Sequence, residues 1–485
     1  MKAIKGNSIG KNILHLFCST VLASVLNAVA LIALASYLES YYYGLFSVVL
    51  AFSMIMGYFT DAGLSRIVVR ESSIKKNSIP IVIMSYLKLR IAFLIGTLFL
   101  GFILIHTFYP KQLELIQTSY YLLIPMVTGL TLQSIGTAYF QVIEKMQYSG
   151  LIRITTSICL VIAVLIGMSL SISPIKISFL YGVSYLAGGV LALLLVRKNM
   201  DFKYKSKFHK GLFKELWPFT IAGLLFVLTP QLGPIVLEQT VSLREVGLFA
   251  VAYRIPQALQ QIPFVVAGAY FPVMYRCFNN NKFKEHMNHN VMLVKIMALM
   301  GMSIAIPLFF LSDFIIRLLF GGSWAEAVEP LKILSLMLAL QMINISLADG
   351  LTTQSMQVRR TRVEMIALLS GVIFYFTLSN SYGIIGAAFA GLMLEMVFFI
   401  GYLVCTPQRL TLLQQAVFPY LTYFIACFIF LNWLFSDLPS LSTFVGYLLL
   451  LIMVALDRPL NRKLLNYVKK LPSRKNLKSK GVEHG

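Results

Sequence analysis

Arg254, Gln257 and Gln261 stand at positions i, i+3 and i+7. If that stretch is helical, the three side chains share one face. A guanidinium grips a phosphate through paired, charge-assisted hydrogen bonds. Carboxamides beside it can donate and accept. Arg254 lies eight residues into an apolar run near 246–275, roughly 12 Å down a helix at about 1.5 Å per residue. Three roles are open to it: contact with an anionic ligand, an ion pair with Glu395, or snorkelling of its head towards water. Glu395 is itself a charge inside an apolar run, near 383–405. A lone carboxylate there is protonated, paired or holding a cation. It could couple transport to protons or sodium, pair with Arg254, or clamp helices through hydrogen bonds.

Other polar residues cluster at the ends of apolar runs. Lys88 and Arg90 begin one near 85–108, and Arg153 begins another near 151–172. Each could draw in an anion or anchor a helix at lipid headgroups. Asp61 and Asp349 close runs on the same side of the chain's topology. Asp61 is a candidate for ion coupling; pairing of Asp61 with Arg66 and of Asp349 with Arg359 is the plainer reading. Polar stripes recur at helical spacing: His15, Ser19 and Asn27; Gln133, Thr137 and Gln141; Gln341 and Asn344. Such stripes either line a polar lumen or bond neighbouring helices, at about 0.6 kcal/mol per bond. No phosphate-cradling glycine loop, HExxH or nucleophile elbow occurs, so ATP hydrolysis by this chain is not expected. His286 and His289 alone do not make a metal site, and five cysteines without a CxxC do not make a zinc site or a disulfide framework. The expectation is no cofactor and no metal.

The elements that carry these residues follow from composition. The 485 residues are 58% hydrophobic and only 12% charged. Soluble domains carry about 25% charged residues, so a soluble enzyme is excluded. Apolar runs of about 20 residues, the length of one membrane span, recur near 13–38, 44–62, 85–108, 118–140, 151–172 and 175–196. They continue near 216–238, 246–275, 290–312, 329–350, 364–379, 383–405, 413–435 and 440–456. A span in lipid must satisfy its own backbone, so these are helices. The expected fold is an all-α integral membrane protein of about 14 transmembrane helices. The first run is too long for a cleaved signal core. With the N-terminus inside, the inner segments hold 35 of the 41 Lys and Arg, and the outer loops hold five. The net charge of +22 is therefore the positive-inside rule and anionic-lipid contact, not nucleic-acid binding. Both termini are expected to be cytoplasmic. No outer loop is long enough for an extracytoplasmic catalytic domain.

The basic segment 197–215 divides the first six spans from the next six. Tyr43-Gly44-Leu45-Phe46-Ser47 opens the second span, and Val246-Gly247-Leu248-Phe249-Ala250 opens the eighth. Equal span numbers per half make this a parallel repeat, one of the transporter designs. The domains expected are a six-helix lobe (1–196), a basic cytoplasmic linker (197–215), a second six-helix lobe (216–405), a helix pair (406–456) and a basic tail (457–485). Pro218, Pro230 and Pro234 in the seventh span, with Pro256, Pro263 and Pro272 in the eighth, predict bends.

Three segments carry a family resemblance. They are Tyr43-Gly44-Leu45-Phe46 through Asp61-Ala62-Gly63-Leu64 to Arg70-Glu71; Val246 to Arg254 through Phe271-Pro272-Val273; and Leu319-Phe320-Gly321 through Leu331-Lys332-Ile333-Leu334 to Asp349-Gly350-Leu351. Over about residues 12–456 the chain resembles the bacterial polysaccharide transporters, the Wzx-type flippases of O-antigen and capsule repeat units. These share a superfamily with multidrug-and-toxin-extrusion transporters and lipid II flippases. The resemblance implies two six-helix lobes around a central cavity that opens alternately to either side of the bacterial inner membrane. It implies an undecaprenyl-diphosphate-linked oligosaccharide as cargo, moved from the cytoplasmic to the periplasmic leaflet, with a polysaccharide polymerase and a chain-length regulator as candidate partners. Lipid II flippases also place an arginine at the position of Arg254, but they carry cavity arginines on the first two spans. Residues 13–59 here have none, which argues against lipid II. On this reading Arg254, Gln257, Gln261, Lys88, Arg90, Arg153, Asn27 and Gln133 contact the cargo, and Glu395 and Asp61 couple ions. A drug/cation antiporter is the rival transporter, and would want an acid on the first span before Glu39. A polytopic O-antigen polymerase or ligase is the rival enzyme, and would want a large outer loop.

Overall fold

The computed structural model describes residues 7–74, 78–200, 208–214, 216–435 and 437–461. The centre of the basic linker (201–207) and the tail beyond residue 461 lie outside the described residues. Among the described residues every regular element is helical. The first six crossings are built from α1 (Asn7–Phe59), the short interfacial α2 (Leu64–Ser73), α3 (Ile79–Phe108), α4 (Leu113–Val142), α5 (Met146–Ser169) and α6 (Pro174–Asn199). The next six use α7 (Leu216–Leu228), α8 (Leu232–Glu238), α9 (Leu243–Leu259), α10 (Gln261–Asn279), α11 (Phe283–Phe310), α12 (Ser312–Phe320), α13 (Val328–Thr353) and α14 (Gln357–Cys405). A terminal pair follows α15 (Arg409–Leu412): α16 (Phe418–Phe435) and α17 (Pro439–Leu456).

Eleven of the described helical stretches are long and apolar enough to cross a membrane. Two of them contain two crossings each. α1 folds back at Glu39 (φ 57°, ψ 169°), and α14 folds back at Gly383 (φ 56°, ψ −138°). Neither angle pair belongs to a helix, and Glu39 occupies a region that only glycine adopts without strain. The broken helix α9–α10 adds another crossing, giving 14 in all. Two breaks follow the prolines. A single 3-10 turn at Thr229–Gln231, containing Pro230, separates α7 from α8. The interruption at Gln260, three residues before Pro263, separates α9 from α10. Proline removes a backbone donor and crowds the preceding turn, so a helix bends there.

The packing leaves two lobes that meet at one end. Tyr43, Phe46 and Val49 of α1 share a buried cluster with Val246, Leu248 and Phe249 of α9 and with Trp324. Towards the other end each lobe has its own core. Leu64, Ile67, Tyr86 and Tyr139 pack together in the first, and Ala267, Met274, Leu293 and Met297 in the second. Large apolar side chains such as Ile95, Phe99, Ile373 and Trp433 lie exposed around the outside, as a bundle immersed in acyl chains requires. The terminal pair is moored by an ion pair, Lys295 Nζ to Asp457 Oδ2 at 2.5 Å, with the Tyr420 hydroxyl donating to the same oxygen at 2.8 Å.

Candidate functional site

The glycines of the two echoed pentapeptides lie against each other. A Cβ placed on Gly44 would sit 1.8 Å from the carbonyl oxygen of Leu243, and one on Gly247 would sit 1.9 Å from that of Ser40. Each glycine thus meets the carbonyl four residues before the other, and only hydrogen side chains permit the approach. The repeat therefore does more than mark duplication: its two copies close one end of the inter-lobe space. The start of α9 is fixed by a capping box, Ser242 with Glu245, which aims Gly247 at α1.

Below this seal, three cavities join into one chamber. The central one, about 430 Å³, is lined by Asn27, Met54, Tyr181, Tyr185, Gln231 and Arg254. Gln257 and Gln261 line both it and a recess of about 320 Å³ in the second lobe. Met54 and Gln231 line both it and a vestibule of about 640 Å³ against the first lobe. The helix break at Pro230 faces both side cavities. Proline-induced bends thus shape the chamber's walls.

Arg254 dominates the centre. It projects from α9 about 10 Å below Gly247, seven residues at about 1.5 Å each. Its Nη1 donates to the Gln257 Oε1 at 2.7 Å, and its buried Nε has no protein acceptor. Among the described residues no carboxylate forms an ion pair with it. Tyr181 and Tyr185 line the same cavity. The anticipated alternative partner, Glu395, is occupied elsewhere. Gln341 Nε2 donates to its Oε1 at 2.8 Å and Asn344 Nδ2 to its Oε2 at 2.7 Å. Gln260, at the α9–α10 break, donates to Gln341. A polar chain therefore links that break to α13 and α14. Glu395 is a hydrogen-bonded clamp at the wall of the recess.

Other anticipated residues are redistributed. Arg153 lies open on the vestibule wall, its Nη1 3.2 Å from Thr20 Oγ1. Asn27 lines the centre, its buried Oδ1 unbonded. Arg90 is only 1% exposed. It pairs with Asp61 at 3.3 Å and reaches Ser134 on α4. Asp61 also accepts from Tyr86 and Ser65, at 3.0 and 2.8 Å, so its partner is Arg90 and not Arg66. The pair braces the vestibule wall, and neither charge is left over for a ligand in this state. Asp349 pairs with Arg360 at 3.8 Å, while Arg359 reaches the Cys405 carbonyl. Gln133 faces away from the chamber: its Nε2 donates to the Tyr185 carbonyl at 2.7 Å and ties α4 to α6. Lys88 does not line these cavities either. Sequence reasoning missed Arg360 and Glu364, whose i, i+4 spacing on α14 was the available signal; they pair at 2.7 Å on the recess wall. It also missed Gln231, which the bend at Pro230 turns inward.

A family model described as "Polysaccharide biosynthesis protein" matches residues 9–278. Among curated proteins there is no significant match. Among solved structures, a lipid II flippase MurJ in an inward closed conformation aligns over 93% of this chain and 99% of its own, at TM-score 0.68 and 15% identity. An inward-facing multidrug resistance MATE family transporter of the MOP superfamily aligns over 81% and 96%, at 0.68 and 13%. A MOP superfamily transporter from Pyrococcus furiosus aligns over 85% and 99%, at 0.61 and 14%. At these identities the likeness concerns the fold, the two-lobed helical bundle.

Proposed function

The chain belongs to the polysaccharide biosynthesis protein family, and from that premise we propose that it is a flippase for undecaprenyl-diphosphate-linked O-antigen or exopolysaccharide repeat units. It moves them from the cytoplasmic to the periplasmic leaflet of a bacterial inner membrane. The observation that carries the reading is Arg254: a guanidinium lining the cavity between the lobes, bonded among the described residues to one carboxamide and to no acid. An arginine held at mid-membrane costs at least about 2.5–3.5 kcal/mol. A structural arginine offsets that with an acidic partner, as Arg90 does with Asp61. Among the described residues Arg254 has no such partner, and an incoming diphosphate would supply one.

The cargo's three parts match three environments. The polyprenyl tail stays in lipid. The diphosphate enters the vestibule past Arg153 and settles at Arg254. The glycan fills the remaining polar volume. Exit requires the lobes to rock, so that the Gly44–Gly247 contact parts and the inner end closes. The domain boundaries near 197–215 and 406 make the two lobes the moving bodies, with α16 and α17 carried by the second through Lys295 and Asp457. On this reading Glu395 couples the movement to an ion; its hydrogen-bonded clamp, which joins the α9–α10 break to α13 and α14, supports that role. A polymerase and a chain-length regulator would take up the product.

One observation favours the drug/cation antiporter instead: Asp349, Glu364 and Glu395 all line the second-lobe recess. A single substitution separates the readings. In a strain lacking the gene, Arg254→Ala should abolish surface display of the polysaccharide while the protein stays in the membrane. A cation antiporter would keep its activity or gain by losing the central positive charge. Normal display from Arg254→Ala would reject the flippase reading.

A further inference from the structure

The chamber is electrostatically divided. Its centre and first-lobe side present Arg254 and Arg153. The second-lobe recess presents Asp349, Glu364 and Glu395, offset by Arg360 alone. Arg360 is engaged by two of the three acids, at 3.8 and 2.7 Å. The recess therefore holds three carboxyl groups against one guanidinium, next to the cationic centre. Its remaining polar lining is carboxamide: Gln257, Gln260, Gln261, Gln341 and Asn344. The Asn344 side chain is 4% exposed, yet its Oδ1 has no hydrogen-bond partner. Aromatic rings, among them Tyr253, Phe398 and Tyr402, complete the wall.

Carboxamides that donate and accept, carboxylates that accept, and aromatic rings that cover C–H faces are the groups that hold a sugar ring. None of them is a free cation. A volume of about 320 Å³ lies at the small end of ligand sites. That suits the sugar nearest the diphosphate better than a whole oligosaccharide. Gln257 and Gln261, which line both spaces, make the two subsites contiguous.

We infer that the second-lobe recess is the subsite for the diphosphate-proximal sugar, and that it selects neutral, acetamido or amine-bearing sugars against uronic acids. This rests on the flippase reading and narrows its cargo. A sugar carboxylate would enter a site that already contains excess acid and no unpaired base. A hydroxyl, an acetamido group or an ammonium would find acceptors, including the unbonded Asn344 Oδ1.

The test uses the purified full-length chain in detergent and four synthetic probes. These are citronellyl diphosphate alone and citronellyl diphosphate linked to N-acetylglucosamine, glucosamine or glucuronic acid, with affinities read by calorimetry. The N-acetylglucosamine and glucosamine probes should bind more tightly than the bare diphosphate, and the glucuronic acid probe at least tenfold more weakly than N-acetylglucosamine. That comparison needs no variant. In Asp349→Asn/Glu364→Gln the discrimination should shrink below threefold. Equal or tighter binding of the glucuronic acid probe would overturn the inference and leave the flippase reading standing. Discrimination that survives the double substitution would remove these carboxylates as its source. Failure of all four diphosphate probes to bind would overturn the flippase reading itself.

Discussion

Gly44→Ala puts the proposed outer seal to a severe test. The added Cβ would lie 1.8 Å from the Leu243 carbonyl oxygen and 2.9 Å from the Gly247 nitrogen. Close C···O contacts in proteins run about 3.3–3.6 Å. The obstructing atoms belong to a helix backbone and cannot rotate aside, so α1 and α9 must separate by roughly 1.5 Å, the shortfall from that distance. Overpacking of this kind costs about 1–3 kcal/mol. On the proposed rocking mechanism the contact parts in the outward-open state, so the equilibrium should shift about 5–150-fold towards that state. Ser47 lies fully buried on α1 near the seal and reports on it. In a variant with the five native cysteines replaced, Ser47→Cys should label slowly with a membrane-impermeant maleimide added outside, and several-fold faster once Gly44→Ala is present. Gly247→Ala should give the same shift, and the double variant less than the sum, because both substitutions force apart one contact. Unchanged labelling together with normal transport would refute the idea that this contact is the gate.

Other substitutions probe other parts of the account. Glu395→Gln should slow transport and make its rate insensitive to the proton or sodium gradient; a retained gradient dependence in vesicles would exclude coupling at Glu395. Lys295→Met leaves Asp457 half-compensated in a buried setting, a loss of about 3–5 kcal/mol for such pairs, so α16 and α17 should become protease-sensitive before the lobes do. Intact resistance would show that the pair does not moor them. At α2, the hydrogen bond from His209 is the largest influence holding the Glu71 carboxyl below its usual range, against the opposing effect of burial. A depressed folded-state pKa adds stability that is present above the ordinary carboxylate range and lost as pH falls through the lowered value. The protection factor for hydrogen exchange across residues 208–214, which corrects for the intrinsic pH dependence of the rate, should therefore fall in acid, and Glu71→Gln should abolish that fall; an unaltered profile in the variant would show that the contact does not hold the segment.

Much of the fold was legible because membrane spans obey a length rule and a charge rule that need no tertiary information. Fourteen apolar runs gave the crossings; of the prolines singled out, Pro230 and Pro263 stand at the breaks at Thr229–Gln231 and Gln260, while Pro256 and Pro272 lie inside continuous helices. Site residues were legible where one helix decides the matter. Arg254, Gln257 and Gln261 do share a face towards the chamber. They were illegible where a neighbouring helix decides. Gln133 and Thr137 are one turn apart, yet Thr137 lines the vestibule while Gln133 is captured by a carbonyl of α6, where α4 and α6 pack closely. Asp61 prefers Arg90, 29 positions away, over Arg66 on the next turn, because Arg66 faces outward on α2 while α3 brings Arg90 inward. The stripe Gln341–Asn344 was visible, but not that its occupant is Glu395. Nothing in the sequence showed that the echoed glycines touch.

The most direct measurement is the affinity of the purified chain for citronellyl diphosphate, with Arg254 and Arg254→Ala compared across a salt series. A charge-assisted hydrogen bond is worth about 1.5–3 kcal/mol, so the variant should bind about 10–150-fold more weakly and lose part of the salt dependence. Equal affinity and an equal salt slope in the two proteins would contradict the account.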